Sequence, residues 1–269
     1  MARHTSAFAA AALLAAVAVP SLLSAQRPAD APTYVAAVLT PVGAFAPLAT
    51  PAQLGTPRYG IGVDVRYGYG ELFGTRKLPM HAVGAQAELA LIGGFLSVSG
   101  TGAYLIPDCG PSRHCAEYPM FGAGASLKVA RWTIDDWLNR GYVTLALDAE
   151  AGLGLPRGGK ARAASAGPSV TFIGNHGTLR VVAFVTPRAL WGRLRIDDPA
   201  RFDAQLGSVF GLADSTFEKE GVRVMAEGGL ALVSTRTGIG LHVGVGRVIV
   251  HGARARVGAS VTWRSTRFR

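Results

Sequence analysis

Residues 59–70 read YGIGVDVRYGYG, and few folds accept a stretch built that way. Tyr59, Ile61, Val63, Val65, Tyr67 and Tyr69 fall on one face of an extended strand. Gly60, Gly62, Asp64, Arg66, Gly68 and Gly70 fall on the other. One face is apolar throughout; the other is glycine and charge. A soluble sheet buries the apolar face in a core, whereas a membrane barrel turns it out to lipid.

The same alternation recurs along the chain. It is clean over 81–91, 120–130, 142–155, 222–233, 238–250 and 253–264, and weaker over 95–105, 164–173 and 178–188. With 59–70 this predicts about ten strands, within a range of eight to twelve, each long enough to cross a bilayer. The connections fall into two sets. Gly93-Gly94, 131–141, GNHG at 174–177 and 234–237 are mostly short. The intervening connections, 71–80, 106–119, 156–163, 189–221 and 247–252, are mostly longer. Short turns at one end and long loops at the other is the arrangement of a membrane barrel.

Two further features orient the faces. Glycine is unfavourable inside strands, so a polar face rich in it suits a narrow lumen where neighbouring side chains need room. Aromatics gather at strand ends: Tyr59, Tyr67, Tyr69, Tyr104, Phe121, Trp132, Tyr142, Trp191 and Trp263, as two interfacial girdles require. Only 16% of residues are charged, against roughly 25% in a typical soluble domain. On these strands and loop lengths the chain resembles the bacterial outer-membrane β-barrel proteins over most of residues 59–269. That resemblance implies an all-β, antiparallel transmembrane barrel, with outer-membrane lipid and lipopolysaccharide as surroundings and the barrel-insertion machinery as a partner during assembly. Such proteins often end on an aromatic residue; here TWRSTRFR closes on Arg269, one residue past Phe268.

Residues 1–25 combine a basic start, Arg3 and His4, with an apolar stretch and a small residue, Ala25, at the end. They read as a secretory signal peptide and direct the chain to the outer membrane. Residues 26–57, rich in proline and alanine, read as a lead-in, with an extra strand over 34–40 or an insert occupying the barrel as the alternatives; 58–269 form the barrel. The net charge of +10 fits anionic headgroups better than nucleic acid, which an exported chain would not ordinarily meet.

With the polar face inward, the lumen is expected to hold Asp64, Arg66, Glu88, Lys128, Asp148, Glu150, Arg223, Glu227, His242, Arg254 and Arg256. They would form ion pairs that stiffen the barrel or line a narrow pore. Cys109 and Cys115, in a predicted outer loop, are expected to form a local disulfide. No metal site or cofactor is expected, since two cysteines with His114 match no zinc spacing. Asp198 before Pro199 predicts the start of a short outer helix. The main expectation is a non-enzymatic barrel with a structural or narrow-pore role. One rival is an outer-membrane hydrolase using outer-loop His81, His114 or His251, with Asp197, Asp198 and Asp203 nearby, or the strand pair His242 and Ser260. The other is a secreted, soluble, lipid-binding barrel.

Overall fold

The computed structural model describes residues 31–45, 60–73, 77–110, 115–134, 141–207, 210–211, 215–249 and 253–265. The signal peptide, Tyr59, His114, His251 and the last four residues lie outside them. Ten antiparallel strands follow one another: β1 (Gly60–Phe73), β2 (Lys77–Leu91), β3 (Leu96–Pro107), β4 (Tyr118–Ile134), β5 (Gly141–Gly154), β6 (Gly159–His176), β7 (Leu179–Ile196), β8 (Phe217–Ser234), β9 (Ile239–Val248) and β10 (Arg256–Arg264). Each pairs with the next, and β10 pairs back onto β1, so the sheet closes. Closure removes the edges that an open antiparallel sheet would expose.

Faces follow the alternation. On β1, Ile61, Val63, Val65 and Tyr67 point outward and are exposed, while Asp64 and Arg66 are buried inside. The outer wall elsewhere carries Leu241, Val243, Val257 and Val261, each at least half exposed. Among the described residues no helix is long and apolar enough to cross a membrane.

Three expectations change. Strands β6, β7 and β8 run to 18 residues each, well past the apolar belt. Residues 189–196 and 217–221, both ends of the loop expected over 189–221, are therefore paired strand: the ladder continues past the apolar belt with charged side chains on its outer face. The connection expected over 71–80 is likewise mostly strand.

The third change concerns residues 31–45. Two helices, α1 (Ala31–Val38) and α2 (Pro41–Ala44), lie inside the barrel and not ahead of it. Tyr34, Val35, Leu39, Val42 and Phe45 are all almost fully buried. They pack against inward-facing Leu72, Met80, Leu105, Met120, Leu190, Leu194, Ile196 and Met225 in one hydrophobic cluster. Toward the long-loop end the strands thus turn apolar side chains inward as well, to serve this plug. A third helix, α3 (Pro199–Gln205), lies in the connection after β7, capped at its start by Asp198, whose side chain accepts from Arg201 N at 3.1 Å. Its Phe202, and Leu206 just after it, join the same cluster from above.

Candidate functional site: a filled lumen

Below the plug the interior turns polar, and most of the charged residues expected there meet. Arg188 is at the centre. Its Nη1 lies 2.8 Å from Glu150 Oε2, its Nε 3.3 Å from Glu227 Oε2 and its Nη2 3.9 Å from Asp148 Oδ2. Arg256 Nη2 pairs with Glu227 Oε1 at 3.1 Å, and its Nη1 donates to the carbonyl of Gly43, tying the network to the plug. Arg264 pairs with Glu88 at 3.0 Å. Ser126 donates to Asp148, and Arg66 donates to Gln86 Oε1 while its guanidinium stacks 4.7 Å from the Phe45 ring. Buried charges of this density need their opposite charges present, because each alone would pay several kcal/mol in lost hydration.

Five of the expected lumen residues stand apart from this cluster. Asp64 is buried inside, and among the described residues neither of its carboxylate oxygens has a hydrogen-bond partner. Arg254 is exposed at the rim, paired with Glu71 at 2.9 Å, because β10 begins only at Arg256. Lys128 lies where β4 breaks register, its ammonium 4.5 Å above the Phe95 ring. Arg223 is half-buried and donates to the Val222 carbonyl. His242 is buried deep in the wall directly opposite Ser260. Among the described residues neither side chain has a hydrogen-bond partner, so the geometry lacks the nucleophile–base contact a hydrolytic pair requires. His81 sits outside, between Tyr67 and Tyr69, and hydrogen-bonds Tyr67 Oη at 2.7 Å. Asp197 and Asp198 are held by Arg195 and Arg201.

Sequence reasoning missed Arg188, Gln86, Ser126 and Arg264 as network members. Arg264 already stood on the polar face of its strand. Arg188 shares its parity with Val182 and Phe184, which point inward into a second small apolar cluster with Tyr142, Ile173 and Val233. That mixture hides the inner face of β7. Tyr142 is accordingly buried inside, under the Arg131 guanidinium at 3.8 Å, and is not part of the girdle. Tyr67, Tyr104, Phe121, Trp132 and Trp263 are exposed on the wall, and Trp191 half-exposed.

The glycines divide by what they admit. Gly62 borders Arg264, and Gly246 borders Arg256 and Glu227, as expected of lumen glycines making room for charge. Gly68 and Gly154 instead admit the plug backbone: a Cβ there would come within 2.2 Å of the Ala44 carbonyl oxygen and 1.8 Å of that of Leu39. Cys109 and Cys115 are disulfide-bonded, with Cα atoms 5.9 Å apart, and Cys109 packs against the apolar cluster beneath the loops.

A closed antiparallel barrel of ten strands, with a charged interior and an apolar wall, is the architecture of the outer-membrane β-barrels. No family model matches the chain, and no curated protein does. Among solved structures it is similar to the attachment invasion locus protein Ail of Yersinia pestis, at 8% identity over 77% of this chain and 99% of that one, with a TM-score of 0.31. It is similar to the transport unit of the autotransporter AIDA-I from Escherichia coli, at 10% identity over 91% and 100%, with a TM-score of 0.32. It is also similar to OccK8 of Pseudomonas aeruginosa, at 8% identity over 79% and 99%, with a TM-score of 0.17.

Proposed function

We propose that this chain is an integral outer-membrane barrel with a structural role, closed along its axis by its own residues, and not an open pore or a hydrolase. The observation that carries the reading is the stacked filling of the lumen. An apolar plug lies toward the long loops, the Arg188 and Arg256 charge network beneath it, and the small Phe184 cluster toward the short turns. A barrel near eight strands is already narrow enough for side chains to fill, and ten widen it only modestly. Here the plug supplies the difference. The apolar wall supports insertion in a bilayer, because the large aliphatics exposed along β1, β2, β8, β9 and β10 would drive a soluble chain to aggregate.

Gel mobility with and without heating, followed by conductance in planar bilayers, tests this. The folded chain is expected to migrate faster than the heated one and to pass no steady current. A chain that stays in buffer and shows no heat-dependent shift overturns the membrane reading. Steady single-channel conductance overturns the closed, structural one.

A further inference from the structure

The outer wall is not uniform. Across β4–β7 its apolar face is built of alanine in two adjacent rows. Ala151 and Ala164 stand opposite each other in the row nearer the long loops; Ala125, Ala149, Ala166 and Ala189 line up in the next. Trp191 and Val222 rise beside this floor, leaving a shallow groove of about 630 Å³ in a wall that elsewhere carries large aliphatics.

The next two rows toward the loops are charged. Arg162 of β6 faces Arg193 of β7, and Lys160 faces Arg195. Like charges directly opposite one another weaken a strand pair, and here they occur twice in succession. Strand β8 supplies Glu218 and Glu220 on the far side of β7. Glu218 accepts from Arg193 at 2.6 Å, and Asp197 accepts from Arg195 at 2.7 Å. Among the described residues nothing pairs with Lys160 or Arg162. The six residues Lys160, Arg162, Arg193, Arg195, Asp197 and Glu218 line a concavity of about 250 Å³.

We propose that this part of the wall binds a phosphorylated acyl lipid of the outer leaflet. Its phosphate lies among Lys160, Arg162, Arg193 and Arg195, and an acyl chain lies in the alanine groove below. Guanidinium groups bind phosphate through paired N–H donors, and an anion between β6 and β7 relieves both opposed cation pairs. Glu218 and Glu220 sit to the β8 side and confine the anion to the β6–β7 side. The cationic rows begin one row beyond Trp191, a residue type that settles at headgroup depth, so head and chain meet their sites together. A second copy of this chain fits poorly, since its matching face would bring cations against cations. The proposal rests on the membrane reading given above.

The test uses the full chain in detergent micelles, titrated with diphosphoryl lipid A, with the same lipid stripped of phosphate, and with inorganic phosphate, bound species being counted by native mass spectrometry. One diphosphoryl lipid per barrel is expected to bind, and far better than the dephosphorylated form. Replacing Lys160→Ala together with Arg162→Ala is expected to weaken it about tenfold or more, as loss of two charge-assisted contacts implies. Filling the groove with Ala149→Leu and Ala166→Leu is expected to weaken the lipid and leave inorganic phosphate unchanged. Equal binding of the dephosphorylated lipid, or full affinity in either variant, overturns the proposal. So does inorganic phosphate binding as tightly as the lipid, or a lipid-free dimer that buries the groove. The heat-dependent gel shift is read on every sample. A barrel that keeps the shift but ignores the lipid overturns this inference alone; a chain without it overturns the membrane reading.

Discussion

Arg188 faces three carboxylates, and its removal would leave Asp148 and Glu227 buried with less than their counter-charge. Glu227 would keep Arg256, and Asp148 would keep the Ser126 hydroxyl. Breaking a buried pair from one side costs about 3–5 kcal/mol. Arg188→Ala is therefore expected to lower the urea midpoint of the folded barrel in micelles sharply, and Arg188→Lys less so, because it keeps the charge and loses the fork. An unchanged midpoint in the alanine variant would show that the network does not hold the barrel. Asp64, Arg66 and Glu227 were legible from strand parity alone, since each sits on a face of glycine and charge. Arg188 was not, because its neighbours on the same face are apolar.

At the scale of the element, the plug is the part that the alternation could not reveal. Residues 31–45 show neither a strand period nor a polar helical face, for they are buried all round by the barrel. Their partners were equally hidden. Inward Leu190, Leu194 and Ile196 look, in sequence, like a weakening of the pattern, when they are the inner wall of a second apolar layer. Deleting 31–45 should expose that layer to water and leave the charge network to close the barrel unaided. The expected result is steady conductance in planar bilayers where the full chain passes none. A deletion variant that stays closed would show that the polar layer seals the lumen by itself.

For the whole molecule, the outer face decides between lipid and water. Val243 lies midway along β9 and is 56% exposed. In a water-soluble barrel Val243→Arg would change stability little. Facing the middle of a bilayer, an arginine costs about 2–4 kcal/mol. The substitution is expected to lower stability by about that amount in lipid vesicles, and a neutral outcome there would contradict the lipid-facing assignment. The same outer face shows why the long strands were misread: the alternation ends at the membrane boundary while the hydrogen-bonded ladder goes on. Charged Arg162, Arg193 and Glu220 then take the outward positions that alanine, tryptophan and valine hold one row below.

The sequence by itself determined a barrel of about ten strands, which side of the cleanly alternating ones faces out, the disulfide and the acidic cap at Asp198. These depend on period two, local spacing and neighbours a few residues apart. Only the tertiary structure decided what fills the barrel. Closing the sheet brings Gly154 against Leu39 and Arg256 against Gly43, contacts between segments more than a hundred residues apart. No local pattern records such a contact, because the residue that makes room and the residue that uses it lie on different strands or on none.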